Sequence, residues 1–248
     1  MNETIKLLNE RKSVRKFTDE KISDEVKQII INSALTAPTA GNMTLYSIID
    51  ITDQSIKDTL ASSCDNQPFI AEAPLVLLFV ADYQKWYDAM KITNGQDIRK
   101  PASGDLMLAV SDALIAASNV VVASESMGLG SCFIGDVIEQ YEIHQKLFNL
   151  PKYTFPACLL VLGYPTENQK LREKPVRFDE KYVVSNNTYH QLNNEELLEM
   201  FNDKANRSNM NITGEQLISN LYKRKWSQPF IEEMTRSVNL WLKQWNND

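Results

Sequence analysis

Histidine and cysteine are scarce in this chain, at two and three among 248 residues. Two histidines are too few for an imidazole-based metal centre. Cys64, Cys132 and Cys158 are odd in number and widely spaced, which excludes a disulfide framework or a zinc site built on cysteine pairs. They fit a reducing compartment, so the expected location is the cytoplasm. Residues 1–20 lack the apolar run of a secretion signal. The longest uninterrupted apolar stretches, such as residues 74–81, are far short of a membrane span, and no membrane partner is expected. An excess of positive charge is missing as well. Acidic residues outnumber basic ones by 32 to 26, for a net charge of −6, which argues against nucleic-acid binding by a general basic surface. An anionic ligand must therefore be held by a local group of cations. No Gly-x-Gly-x-x-Gly follows a strand, so a Rossmann site is not indicated. There is no internal repeat and no low-complexity tract.

What is present reads as a mixed α and β chain with enough apolar residues, 43% of the total, for a sizeable core. Ser23 caps a helix whose apolar face is Val26, Ile29, Ile30, Ala34 and Ala37, and Pro38 closes it. Residues 46–51 read as a strand and 55–63 as a short helix. The apolar run 74–81 predicts a strand buried on both faces. Residues 91–104 read as a polar, mobile loop suited to a lid. The segment 105–127 is the longest helix candidate, apolar nearly all round, and Gly128 ends it. A helix over 138–148, a third buried strand over 156–162, and an irregular stretch over 164–190 follow. Helices over 193–201, 213–222 and 228–245 complete the chain.

The most informative stretch is Arg11-Lys12-Ser13-Val14-Arg15. Arg11, Ser13 and Arg15 stand two apart, and in an extended segment alternate side chains share a face. Their donors are then placed to converge on one anion, with guanidinium forks matched to phosphate oxygens. Further along come Ala37-Pro38-Thr39-Ala40-Gly41-Asn42, then Gly128-Leu129-Gly130-Ser131-Cys132-Phe133-Ile134-Gly135, then Val161-Leu162-Gly163-Tyr164-Pro165. Lys223-Arg224-Lys225-Trp226 and Glu233-Met234-Thr235-Arg236-Ser237-Val238 lie near the end. In this order and spacing the motifs resemble the nitroreductase family of flavin enzymes, closest to its NADPH-preferring, flavin reductase-like branch, over nearly the whole chain.

That resemblance implies an α+β fold: a mostly antiparallel central sheet flanked by helices, in an intertwined homodimer. It implies one FMN-binding domain over residues 1–248, with a helical extension from about 190 that embraces the partner. The implied activity is an FMN-dependent NAD(P)H oxidoreductase. Hydride would pass by way of flavin N5 to small-molecule acceptors such as nitroaromatics, quinones or free flavin, with ping-pong kinetics. A flavin carrier or sensor with little turnover is the rival reading. No catalytic acid, base or nucleophile is required, because proximity and orientation supply the rate.

By the same resemblance, Arg11, Lys12 and Ser13 hold the phosphate, joined by Lys174 and Arg177, with Arg172 as the alternative. Arg15 stands near N1 and O2, where reduction places negative charge. Gln67, with Asn66 in reserve, meets the pyrimidine edge, since an amide offers both donor and acceptor. Phe133, Ile134 and Gly135 line the N5 and dimethylbenzene side. Pro38, Thr39, Ala40 and Asn42 come from the other subunit. Where the family has Asn-x-Gln-Pro, this chain has Asn42-Met43-Thr44-Leu45. NADPH in preference to NADH needs a cation for the 2′-phosphate; Lys and Arg of 170–177, or Lys204 and Arg207, are the candidates. Cys132 beside the flavin loop reads as a buried thiol.

Overall fold

The computed structural model describes residues 1–246, in two compact units: Met1–Arg172 together with the residues from Glu233 on, and Glu173–Glu232. The extension expected from about residue 190 is thus divided between the units, and its last two residues lie outside the described ones.

The first unit holds α1 (Glu3–Glu10), α2 (Asp24–Leu35), α3 (Gln54–Ser63), α4 (Phe69–Glu72), α5 (Gln84–Asn94), α6 (Ser103–Ser126), α7 (Tyr141–Leu147) and α8 (Glu167–Leu171). The second holds α9 (Asn194–Arg207) and α10 (Gly214–Leu221). The residues of α11 (Pro229–Asn246) from Glu233 on belong to the first. Strands β1 (Tyr46–Asp50), β2 (Leu75–Asp82), β3 (Gly130–Ile134) and β4 (Thr154–Gly163) form one antiparallel sheet in the order β1-β2-β4-β3. The register shifts between Phe79 and Val80 opposite the segment of β4 that contains Pro156, which has no N–H to give the ladder.

Both faces of the sheet are covered. Val76, Leu78 and Val80 of β2 and Leu159 and Val161 of β4 pack with Leu60, Ile70, Trp241 and Trp245 from α3, α4 and α11. The alternate residues Leu75, Leu77, Phe79, Leu160 and Leu162 pack with Ile30 and Ala34 of α2 and with Ala113, Ala116, Ala117 and Val120 of α6. This is why residues 74–81 read as a continuous apolar run: β2 is buried throughout. Taken alone, α6 is long and apolar enough to cross a membrane, which the reading of short apolar runs overlooked. In the fold its apolar side covers the sheet.

After α1 the chain lies along the β3 edge. Val14 N–H donates to the Ser131 carbonyl at 2.8 Å, and Thr18 N–H to that of Tyr164 at 2.8 Å. Two glycines permit this approach. A Cβ on Gly130 would stand 2.4 Å from Val14 Cγ2, and one on Gly163 would stand 2.8 Å from the Phe17 ring. Gly130, the first residue of β3, therefore seats residues 13–15.

Sequence periodicity located most elements but missed five: α1, α5, β3 and the short helices α4 and α8. α1 is only eight residues long and has no buried side chain, and α5 has none fully buried either, so neither contributes to the core by which longer helices are recognised. α5 also takes residues 91–94 from the expected loop. β3 has a short, mixed pattern, Gly-Ser-Cys-Phe-Ile. The helix expected over 138–148 is divided. A 3₁₀ turn over Asp136–Ile138 precedes Gln140, whose left-handed φ of 50° separates it from α7.

Candidate functional site

The 11–15 segment and the β3 edge bring most first-unit candidates to one side of the sheet. Ser13 pairs with Ser131, so its neighbours alternate in step with β3. Ser13 and Arg15 hydrogen-bond with the Cys132 thiol, and the charge of Arg172 acts on it. Burial raises that thiol's pKa, and the same three residues pull it back down. Arg172 is tied in place by its own hydrogen bond to the Ser13 carbonyl. Lys12 Nζ donates to the carbonyls of Lys170, at 2.6 Å, and Arg172, so its charge is spent on the local backbone. Arg11 departs from its alternates: its Nε lies 3.9 Å from Glu125 of α6, a carboxyl whose pKa burial raises despite this cation.

Arg15 stands over the Phe69 ring, 5.9 Å from the centroid, at the start of α4. Just before it, Asp65 and Asn66 both take left-handed φ, the turn that the sequence suggests. Gln67 follows. Its Nε2 donates to the Cys64 carbonyl at 2.9 Å and to Asp136 Oδ2 at 2.7 Å. Half of the expected donor-and-acceptor pair is thereby committed within the protein. Asp136 directly follows Gly135, beyond Phe133 and Ile134 at the end of β3. Phe133 is exposed and Ile134 buried, and the space that a Gly135 side chain would enter is open.

Pro38, Thr39, Ala40 and Asn42 sit in a tight segment whose Gly41, Asn42 and Thr44 have φ of 57°, 58° and 51°. Left-handed backbone is rare for a β-branched residue and persists only where its surroundings hold it. The holder is Asp112, buried in α6. Its two oxygens accept from Ala40 N–H at 2.9 Å and Leu45 N–H at 3.1 Å, while Thr39 Oγ1 accepts from Thr44 N–H at 3.1 Å. Sequence reading missed Asp112. Its signal was a lone carboxylate in the apolar stretch between Val110 and Ala117.

Lys174 and Arg177 belong to the second unit. There the Arg177 carbonyl accepts from Arg207 Nη2 at 2.9 Å, and the Lys204 ammonium lies 4.0 Å from the Phe178 ring centroid. Burial and the charges of Arg177 and Arg207 lower the Lys204 pKa, so the three cations are neighbours. All three cysteines are free and buried; burial pushes Cys158 up to about 12 and raises Cys64 further.

A sheet with helices on both faces and a cation-bearing edge beside β3 defines the class. The nitroreductase family model matches residues 8–164, and the chain belongs to that family. It is 32% identical over 248 residues to the FMN reductase (NAD(P)H) of Bacillus subtilis, covering 94% of this chain and 96% of that one. With the oxygen-insensitive NADPH nitroreductase of Salmonella typhimurium it shares 30% over 240 residues, with the same coverage of each. Among solved structures, NADPH:FMN oxidoreductase from Vibrio harveyi complexed with NAD+ superposes with a TM-score of 0.80 at 26% identity, covering 97% of this chain and 98% of that one. For NfrA2 of B. megaterium the TM-score is 0.78 at 28% identity, over 96% and 98%.

Proposed function

We propose that this chain is an FMN-dependent NAD(P)H oxidoreductase acting on small electron acceptors: nitroaromatics, quinones or free flavin. The observation that carries this reading is the convergence of Ser13, Arg15, Arg172 and the Gln67–Phe69 segment beside β3, in a family whose members here are flavin reductases and nitroreductases. The residues fit FMN in a specific way. The Nε atom of Arg172, beside Ser13, is buried without a hydrogen bond, so this guanidinium retains capacity for an anion. What FMN supplies when bound is two-electron chemistry between a nicotinamide and an acceptor.

In this reading Ser13 and Arg172 hold the phosphate, with Lys12 bracing the chain between them and Arg11 set beside Glu125. Arg15 is the fixed cation for the N1/O2 edge, since an arginine stays charged at any working pH. Phe133, Ile134 and Gly135 border N5, where open space over Gly135 leaves room for close approach. Both nucleotide and acceptor use one face, which gives ping-pong kinetics. Within the second unit, Arg177, Lys204 and Arg207 are neighbouring cations of the kind a 2′-phosphate would need. Pro38, Thr39, Ala40 and Asn42 cover the site of a second protomer. The homodimer is supported by Met107, Leu108, Leu114 and Ile115, an exposed apolar stripe on α6 opposite its core face. Three free, buried thiols suit the cytoplasm.

Purification and steady-state kinetics test the proposal. The expected protein is yellow, releases FMN on denaturation, and oxidises NADPH with a quinone or nitroaromatic in a ping-pong pattern. A colourless protein that takes up no FMN would overturn it. A yellow protein reduced by NADPH no faster than free FMN would instead be a carrier.

A further inference from the structure

The Gln67 amide has a fixed orientation. Its backbone is held by Gln67 N–H to the Ala61 carbonyl at 2.7 Å and by Ile70 N–H to the Gln67 carbonyl at 3.1 Å, at the junction of α3 and α4. Nε2 carries two hydrogens, and both are used, one on Cys64 O and one on Asp136 Oδ2. Rotating the amide by half a turn would set Oε1 against a carbonyl and a carboxylate, with no proton for either contact. The surroundings reinforce this choice, because the carboxylates of Asp65, Asp136 and Glu139 lie within 4.8 Å of one another and favour an N–H facing them. Asp136 is in turn held by the 3₁₀ turn, whose Glu139 N–H donates to the Asp136 carbonyl at 3.0 Å and whose Val137 is fully buried. Oε1 is the polar atom left to meet a ligand.

We propose that Asp136 is a positioning residue that locks Gln67 as an acceptor, so that the site selects a ring N–H, namely N3–H of the isoalloxazine. This rests on the reading that Gln67 meets the flavin edge. The pyrimidine edge offers one donor, N3–H, between the acceptors O2 and O4. A side chain whose nitrogen is already bound matches the donor and neither carbonyl.

The probe is 3-methyl-FMN, in which that donor is replaced by a methyl group. Its dissociation constant from the flavin-free protein is compared with that of FMN by fluorescence titration. The wild-type protein is expected to prefer FMN by at least about tenfold, the scale set by leaving a buried acceptor unpaired. Gln67→Leu should reduce the preference to about threefold or less. Asp136→Ala leaves only the Cys64 carbonyl on Nε2, and Asp136→Lys offers Oε1 a donor in place of the acceptor, so each should weaken the preference to about threefold or less. Asp136→Asn, which still offers an oxygen to Nε2, should retain most of the preference. Thermal unfolding confirms that each variant is folded, and either of the Ala and Lys variants suffices if the other is not. Folded Ala or Lys variants that keep the wild-type preference while Gln67→Leu loses it would overturn the role of Asp136 and leave Gln67 at the ring. Retention by Gln67→Leu, or no preference in the wild-type protein, would remove Gln67 from that edge and the proposal with it.

Discussion

Arg15 faces two demands at the residue scale. It lies against Phe69 and Cys132, and it carries charge on a side of the sheet where Asp136 brings the opposite sign. Its proposed work is electrostatic, so removing it should alter reduction more than retention. Arg15→Ala is expected to lower the midpoint potential of bound flavin by on the order of 30 mV, the equivalent of about 1.4 kcal/mol for two electrons. Spectroelectrochemical titration of the loaded protein measures this, and an unchanged potential would dissociate Arg15 from N1/O2. His144 makes a separate prediction about pH. It is fully buried, its Nδ1 donates to the Val137 carbonyl at 2.8 Å, and its Nε2 accepts from Ser63 Oγ at 2.7 Å. Burial lowers its pKa below the ordinary 6.5. The unfolded chain thus takes up a proton first as pH falls, so this contribution to stability is complete above 6.5 and is lost below it. The melting temperature should fall less steeply from pH 6.5 to 5 in His144→Gln than in the wild-type protein; parallel slopes would contradict this.

For elements, the informative pair is α6 and the segment from Thr39 to Leu45. Asp112 reaches from the helix to two backbone N–H groups of a segment with three left-handed residues. Asp112→Ala removes two charge-assisted hydrogen bonds and leaves both donors without an acceptor, at a cost of about 2–4 kcal/mol. Urea unfolding measures the loss, and hydrogen exchange at Ala40 and Leu45 should quicken more than at amides of β2. Equal quickening everywhere would indicate global destabilisation in place of a released segment. α11 shows the opposite case, an element whose anchoring is strong and local. Arg236 forms a bidentate pair with Glu142 at 2.8 and 2.9 Å, and it holds the Glu233 carboxyl down to about 2. Trp241 and Trp245 are buried in the same unit's core, so that face of α11 is not available to embrace a partner.

At the scale of the whole molecule, the exposed stripe on α6 would, under the proposed dimer, link assembly to cofactor retention. If Pro38 to Asn42 cover a neighbour's site, breaking the dimer must loosen the flavin. Leu114→Glu combined with Ile115→Glu puts like charges face to face in a two-fold interface while sparing the buried side of α6. Sedimentation velocity is expected to show a monomer, with FMN affinity reduced by tenfold or more. A dimer that persists would move the interface off α6. A monomer that keeps its flavin at full affinity would show each site to be complete within one chain.

The sequence alone fixed the elements whose signals are local. Ser23 capped α2, the apolar run over residues 74–81 announced a strand covered on both sides, and Gly128 ended the long helix. The ordered motifs, Arg11, Ser13 and Arg15 among them, carry the family resemblance without any geometry. Only tertiary structure decided which of those groups act together. Lys12 is turned to the backbone, Arg11 is drawn to Glu125, and Asp112 is recruited from the middle of a core helix. It also decided that Gln67 gives its nitrogen to Asp136, a residue 69 positions away. Helix and strand periodicity express the nearest few residues, whereas a hydrogen bond between distant residues exists only once burial has brought both to one place and removed the water that would otherwise satisfy them.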